Sequence, residues 1–216
     1  MTARDEVLAR IRDALGPDRA PAPAVPRDYR VAAGDGTGPP APPAGDVLDL
    51  LVDRLEDYQA VVVRVRPDGV AAAVRAQVTE QGLRRVGVPA GLPAPWVEDL
   101  DGVEVRHDEP HLSLEELAGL DGVVTACRLA IATTGTVVLD ADARQGRRAL
   151  SLVPDWHLCV VQADQVVEGV PDAIARLDPT RPLTFVSGPS ATSDIELERV
   201  EGVHGPRTLV VVLVDS

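Results

Sequence analysis

The sequence predicts an α/β fold built on a mainly parallel sheet. Over residues 46–120, stretches of helical period alternate with short apolar runs of strand type, the pattern of strands joined by crossover helices. The core material fits this. Hydrophobic residues make up 45% of the chain and aromatics only 2%, so Val, Leu, Ala and Ile must fill the interior. Val-rich runs favour strands and Ala/Leu-rich runs favour helices. From residue 121 the strand-like pieces become more frequent and the turns tighter.

Taken in order, the first element is an amphipathic helix over residues 2–15. Val7, Leu8, Ile11 and Leu15 fall on one side, and Gly16 stands where a C′ residue belongs. Residues 17–45 are dominated by Pro, Ala and Gly, with Pro39, Pro40, Pro42 and Pro43 as breakers, so they form a linker without a core. The chain thus divides into an N-terminal helical arm (1–16), a Pro/Ala/Gly-rich linker (17–45) and an α/β body (46–216). The body opens with a helix to about residue 57, in which Val47, Leu48, Leu51 and Leu55 keep the period. A buried-type strand follows at 60–65. Asp68 is expected to cap a helix through Glu80, with Val70, Val74 and Val78 on one face and Gly82 at its end. Strands at 85–88 and 103–106 flank a helical turn at 96–100, and Ser113 with Glu116 makes a capping box that opens a short helix to Leu120. Strands at 123–124, 130–132 and 136–139 precede a helix at 145–152. Strands at 157–162 and 165–167, a helix at 170–177 and a strand at 183–186 come next. A helix-like acidic run at 194–200 and a strand at 208–214 complete the chain.

A net charge of −13, without a marked basic cluster, argues against nucleic acid and against anionic membrane surfaces. The longest uninterrupted aliphatic run, 209–214, is far too short to span a bilayer, and the first residues carry no apolar leader segment. Cys127 and Cys159 lie in apolar surroundings without CxxC or metal spacing, so free core thiols in a reducing, cytoplasmic compartment are expected.

Candidate chemistry sits on three loops. Residues 133–136 read TTGT: Gly135 can take positive φ and expose amides, while Thr133, Thr134 and Thr136 supply hydroxyls. That suits an anion, and equally a tight strand connection with self-bonding hydroxyls. Residues 187–196 read SGPSATSDIE, an apolar strand breaking into a polar loop and then a helix-like start, where amides and a helix dipole meet. Ser193 and Glu196 match a capping box, which leaves Ser190 unaccounted for. His204, in GVHGP at 202–206, suits a proton donor or ligand group, or a turn histidine bonded to backbone. Arg147, in the GRR run at 146–148, either meets an anion or pairs with one of the many carboxylates. His157 alternates with apolar neighbours and reads as structural. His107 and His111 flank Pro110 in a polar loop, and no metal site is expected there. GxxxxGK[ST], GxGxxG and GxSxG do not occur, which excludes a Walker A loop, a dinucleotide fingerprint and a nucleophile elbow.

Four segments in register exceed what generic α/β patterning predicts: AIATTGTVVL at 130–139, Gly146 and Arg147 with LVPD at 152–155, SGPSATSDIE at 187–196 and GVHGP at 202–206. In this order they resemble the LUD family, the lactate-utilisation domain, closely over 121–215. The resemblance implies a fold similar to the sugar-phosphate isomerase and CoA-transferase group, an open, mainly parallel sheet with a smaller, more antiparallel portion. It implies a subunit or accessory protein of an iron–sulfur-dependent system that oxidises L-lactate to pyruvate, acting with iron–sulfur partner proteins and binding a small anionic metabolite. Ligand binding is expected at Thr134, Gly135, Thr136, Arg147, Gly188, Ser190, Thr192 and Ser193; a catalytic role is not assigned, and Asp194, Glu196 and His204 are the acid–base candidates should the chain act as an enzyme. Lactate oxidation must move two electrons, and this sequence carries no iron–sulfur, dinucleotide or haem motif. No cofactor is therefore expected in this chain, and the clusters are expected in its partners. The alternative is a stand-alone isomerase- or CoA-transferase-like enzyme acting on a phosphorylated or acyl-CoA metabolite at the same loops.

Overall fold

The computed structural model describes residues 2–16, 44–192, 200–201 and 205–215. The arm is a helix, α1 (Ala3–Leu15). Thr2 caps it reciprocally: its hydroxyl accepts the Asp5 amide at 3.3 Å, and the Asp5 carboxylate accepts the Thr2 amide at 2.9 Å. Not one residue of α1 is buried.

The body runs α2 (Ala44–Asp57), β1 (Val61–Val65), α3 (Val70–Glu80), β2 (Arg85–Val88), β3 (Glu104–His107), α4 (Leu114–Ala118), β4 (Gly122–Ala126), β5 (Leu129–Ile131) and β6 (Thr136–Leu139). It continues with α5 (Arg148–Leu152), β7 (Trp156–Gln162), β8 (Val166–Val167), α6 (Val170–Arg176), β9 (Thr184–Val186), β10 (Ala191–Thr192), β11 (Val200–Glu201) and β12 (Thr208–Val214). Six strands form one sheet in the order β1-β12-β7-β4-β2-β3, and every pairing in it is parallel. A second sheet, β8-β5-β6-β9, is mixed, with two antiparallel pairings and one parallel. The predicted architecture of a parallel sheet with a smaller, more antiparallel portion is what the chain adopts.

Strand alternation sorts the core into layers. One face of the large sheet, with Val124, Leu158, Val160, Val210 and Val212, packs on Val70, Val74 and Val78 of α3. The opposite face, with Cys159, Val161, Leu209, Val211 and Leu213, packs on Leu51 and Leu55 of α2 and on Ala130, Val137 and Leu139 of the small sheet. The small sheet's other face meets Ala173 and Leu177 at α6. Burial on both faces is why β7 and β12 read as continuous apolar runs. Cys127 and Cys159 are both free and buried in this core.

Local expectations fail at three places. Asp68 does not cap α3: the chain enters that helix through a 3₁₀ turn, Pro67–Gly69, whose proline presets φ, and no side chain caps either piece. The helix expected at 145–152 begins at Arg148, because Gly146 sits at φ +72° and the Gln145 side chain turns back to accept the Asp140 amide. Val200, expected to end a helix, instead pairs antiparallel with Thr192.

Candidate functional site

A cavity of about 310 Å³ opens where residues 187–190 and Gly205–Pro206 come together. The two loops are joined by the Ser190 amide, which donates to the Pro206 carbonyl at 2.7 Å. The floor is His157, directly opposite Leu209 in the pairing of β7 with β12. Each is the second residue of its strand, so the cavity lies at the amino-terminal ends of these parallel strands. The third wall is α5, which supplies Arg148, Ser151 and Leu152.

The electrostatics of this cavity follow from burial. His157 is 1% exposed, and its Nε2 shares a 2.8 Å hydrogen bond with the hydroxyl of Thr125, itself fully buried. Desolvation penalises the imidazolium and pulls the His157 pKa down from 6.5 to about 4, so the ring is neutral at physiological pH. Ser151 is also buried and donates to the Arg148 carbonyl at 3.2 Å. Arg148 makes no ion pair among the described residues. The cavity therefore combines a neutral buried imidazole, serine hydroxyls, one guanidinium at the rim and apolar walls.

The loop expected to form an anion cradle is built differently. The Thr136 hydroxyl lies 2.7 Å from that of Thr134 and 2.7 Å from that of Ser187, so the three hydroxyls form a chain leading toward the cavity wall. The Gly135 amide donates back to Ala132. Gly135 is left-handed, φ +56°, and a Cβ there would lie 2.9 Å from the backbone of Arg54. Gly188, at φ +77°, would place a Cβ 2.6 Å from that of Tyr58. Both glycines thus let loops close onto the end of α2, one helical turn apart.

Arg147 is not part of this cavity. Its guanidinium forks onto Asp108, with Nε at 2.8 Å and Nη2 at 3.0 Å from the two carboxylate oxygens, and Nη2 also donates to the Leu112 carbonyl. Burial alone would raise the Asp108 pKa, but Arg147 and the Leu112 amide outweigh it and hold the carboxyl below its ordinary value. This pair lines a different cavity, of about 610 Å³, at the carboxyl ends of β2 and β3. In open α/β sheets the carboxyl ends are the usual ligand position. Here the pair's charges satisfy each other, whereas the amino-end cavity has at its rim a guanidinium with no ion pair among the described residues.

Of the residues singled out from sequence, Gly188 and Ser190 line the amino-end cavity, and Thr134 and Thr136 reach it only through Ser187. Thr192 lies in the β10–β11 ribbon. Ser193, Asp194, Glu196 and His204 lie outside the described residues. Sequence reasoning reads His157 as structural and does not single out Arg148 or Ser151. The one signal for His157 was a polar residue in the buried run of β7. For Arg148 it was adjacency to Arg147 just after Gly146.

Among the described residues no helix is long and apolar enough to cross a membrane. Residues 48–214 match the model of the LUD domain. The chain is 50% identical over 180 residues to a lactate utilization protein C from Deinococcus radiodurans, covering 81% of this chain and 83% of that one. A lactate utilization protein C 1 from Bacillus mycoides is 34% identical over 101 residues, 43% of each chain. The crystal structure of a DUF162 family protein from Deinococcus radiodurans superposes with a TM-score of 0.67 at 41% identity, covering 81% of this chain and 99% of that one. The agreement in sequence over most of the body, and in fold with a solved relative, places this chain in the LUD-domain family.

Proposed function

We propose that this chain serves in lactate utilisation, as a subunit or accessory protein of a system that oxidises L-lactate to pyruvate. The observation that carries this is its 50% identity, over most of both chains, to a lactate utilization protein C. Oxidation of lactate releases two electrons and two protons. A cluster of four cysteine ligands cannot be built from the two cysteines of this chain. The electrons pass to iron–sulfur partner proteins, and this chain contributes a binding site for a small anionic metabolite. The cavity beside Ser190, with Arg148 at its rim, supports that role.

The test is genetic and biochemical together. A strain lacking the chain should fail to grow on L-lactate as sole carbon source, and tagged protein from lactate-grown cells should carry iron–sulfur proteins with it. Normal growth of the deletion strain, with no iron–sulfur protein recovered, would sink the reading. A second reading, a stand-alone isomerase- or CoA-transferase-like enzyme, draws on the carboxyl-end cavity beside Asp108 and Arg147. Turnover of a sugar phosphate or an acyl-CoA by the purified chain would favour it.

A further inference from the structure

We propose that the cavity at the amino ends of β7 and β12 binds a short 2-hydroxy- or 2-oxo-carboxylate, its carboxylate on Arg148 and its 2-oxygen on His157. The proposal deepens the lactate-utilisation reading and rests on it for the choice of test compounds. The architecture of the cavity supplies the argument.

Two buried polar side chains line this cavity, Ser151 and His157, and a third, Thr125, is buried behind the imidazole. Burying polar groups costs free energy unless each is satisfied; Thr125 and Ser151 are bonded within the protein, so it is the other imidazole nitrogen that calls for a polar occupant. Thr125 takes one ring nitrogen of His157, which fixes the ring's orientation. The ring lines the cavity, and no second hydrogen bond is recorded for it among the described residues. A neutral imidazole offers one donor and one acceptor. With one nitrogen committed to Thr125, the other can meet either a hydroxyl or a keto oxygen according to the tautomer. An imidazolium would instead have demanded an anion at the floor.

The charge is at the other end. Arg148 lines the same cavity without an ion pair among the described residues, and its guanidinium fits a carboxylate with two parallel hydrogen bonds. Between rim and floor the walls mix apolar side chains, Leu152, Val186, Pro189, Pro206 and Leu209, with Thr184, Ser187 and Ser190. A ligand that matches this order has one anionic end, a short carbon body and a neutral oxygen beside the anionic end. A dianionic phosphate ester would bring a second charge to a lining whose described residues offer one guanidinium and a neutral ring.

The test uses the full-length protein. L-lactate, 2-hydroxybutyrate, pyruvate, propionate and inorganic phosphate are titrated by calorimetry, with the imidazole resonances followed by NMR. The chain has four histidines, so one buried, non-titrating imidazole is readily told from the others. The expected result is binding of the 2-oxygenated acids with a shift of that resonance. Propionate should bind about tenfold more weakly, because it leaves the ring nitrogen unpaired. Arg148→Gln should weaken all carboxylates by about tenfold or more. His157→Gln should abolish the preference for lactate over propionate while keeping carboxylate affinity. Ser151→Ala serves as a second cavity variant should His157→Gln fail to fold, and it should weaken binding without changing the fold.

Phosphate binding as tightly as lactate, equal affinity for lactate and propionate, or binding that leaves the buried imidazole unmoved would each overturn the proposal. The two readings fail separately. Normal growth of the deletion strain on lactate, with binding in this cavity intact, removes the lactate-utilisation role and leaves the ligand class standing. Loss of growth with no binding by the purified chain removes the ligand class alone.

Discussion

Gly188 and Gly82 both have positive φ, yet their surroundings differ. A Cβ on Gly188 would meet Tyr58 at 2.6 Å, while one on Gly82 would meet nothing within 4 Å. Gly82→Ala should therefore cost only the left-handed backbone penalty, about 1–2 kcal/mol. Gly188→Ala adds overpacking against α2 and should cost about 2–4 kcal/mol in urea denaturation. Equal losses would mean that the loop yields freely. His157 makes a pH prediction. Its folded pKa is depressed, so the unfolded chain binds the proton first as pH falls. The neutral ring's contribution is complete above about 6.5 and lost progressively toward pH 4. A fall from 6.5 to about 4 corresponds to roughly 3 kcal/mol. In His157→Gln the stability curve between pH 7 and 4 should be flatter by that order. An unchanged slope would place the acid sensitivity elsewhere. Asp108 acts lower on the pH scale: its pKa is depressed, so its stabilisation is present at neutral pH and lost only as pH falls below the ordinary aspartate value.

Elements divide into those held by their own caps and those held by packing. The Ser113 capping box appears in the structure as read from sequence, and Thr2 makes another with Asp5, because reciprocal bonds three residues apart are a local matter. The short helix α5 shows the opposite. Its start was expected at 145, but Gly146 and the Gln145–Asp140 bond shift it to Arg148, and with that shift the arginine facing the amino-end cavity changes from 147 to 148. Consecutive helical side chains point roughly 100° apart, and the two neighbouring arginines line different cavities, Arg148 the amino-end one and Arg147 the carboxyl-end one. The arm makes a testable contrast. Since no residue of α1 is buried, removing residues 1–16 should change the stability of the body by less than about 1 kcal/mol. Leu55→Ala, at a fully buried position of α2, should cost about 2–5 kcal/mol. A large loss on truncation would show that the arm packs on the body.

At the scale of the molecule, α2 is shared: it lies between the large sheet and the small one, and the same cluster includes Leu55, Val137 and Val211. Two sheets with a common core should unfold together. Far-UV circular dichroism reads both sheets, while the fluorescence of Trp96 and Trp156 reads the cluster around α3. The two signals should trace one coincident urea transition. Separate midpoints would mean that the small sheet opens independently.

Element types, the change of texture at residue 121 and the aliphatic nature of the core were legible in the sequence by itself. Each depends on periodicity or on neighbours within about four residues. The tertiary structure alone decided which polar groups meet. His157 faces the cavity through its register with Leu209, more than fifty positions away in the chain. Thr136 meets Ser187 across the mixed sheet, and Arg147 is taken by Asp108 on a different strand end. Such meetings depend on strand order and pairing register, and no local pattern encodes either.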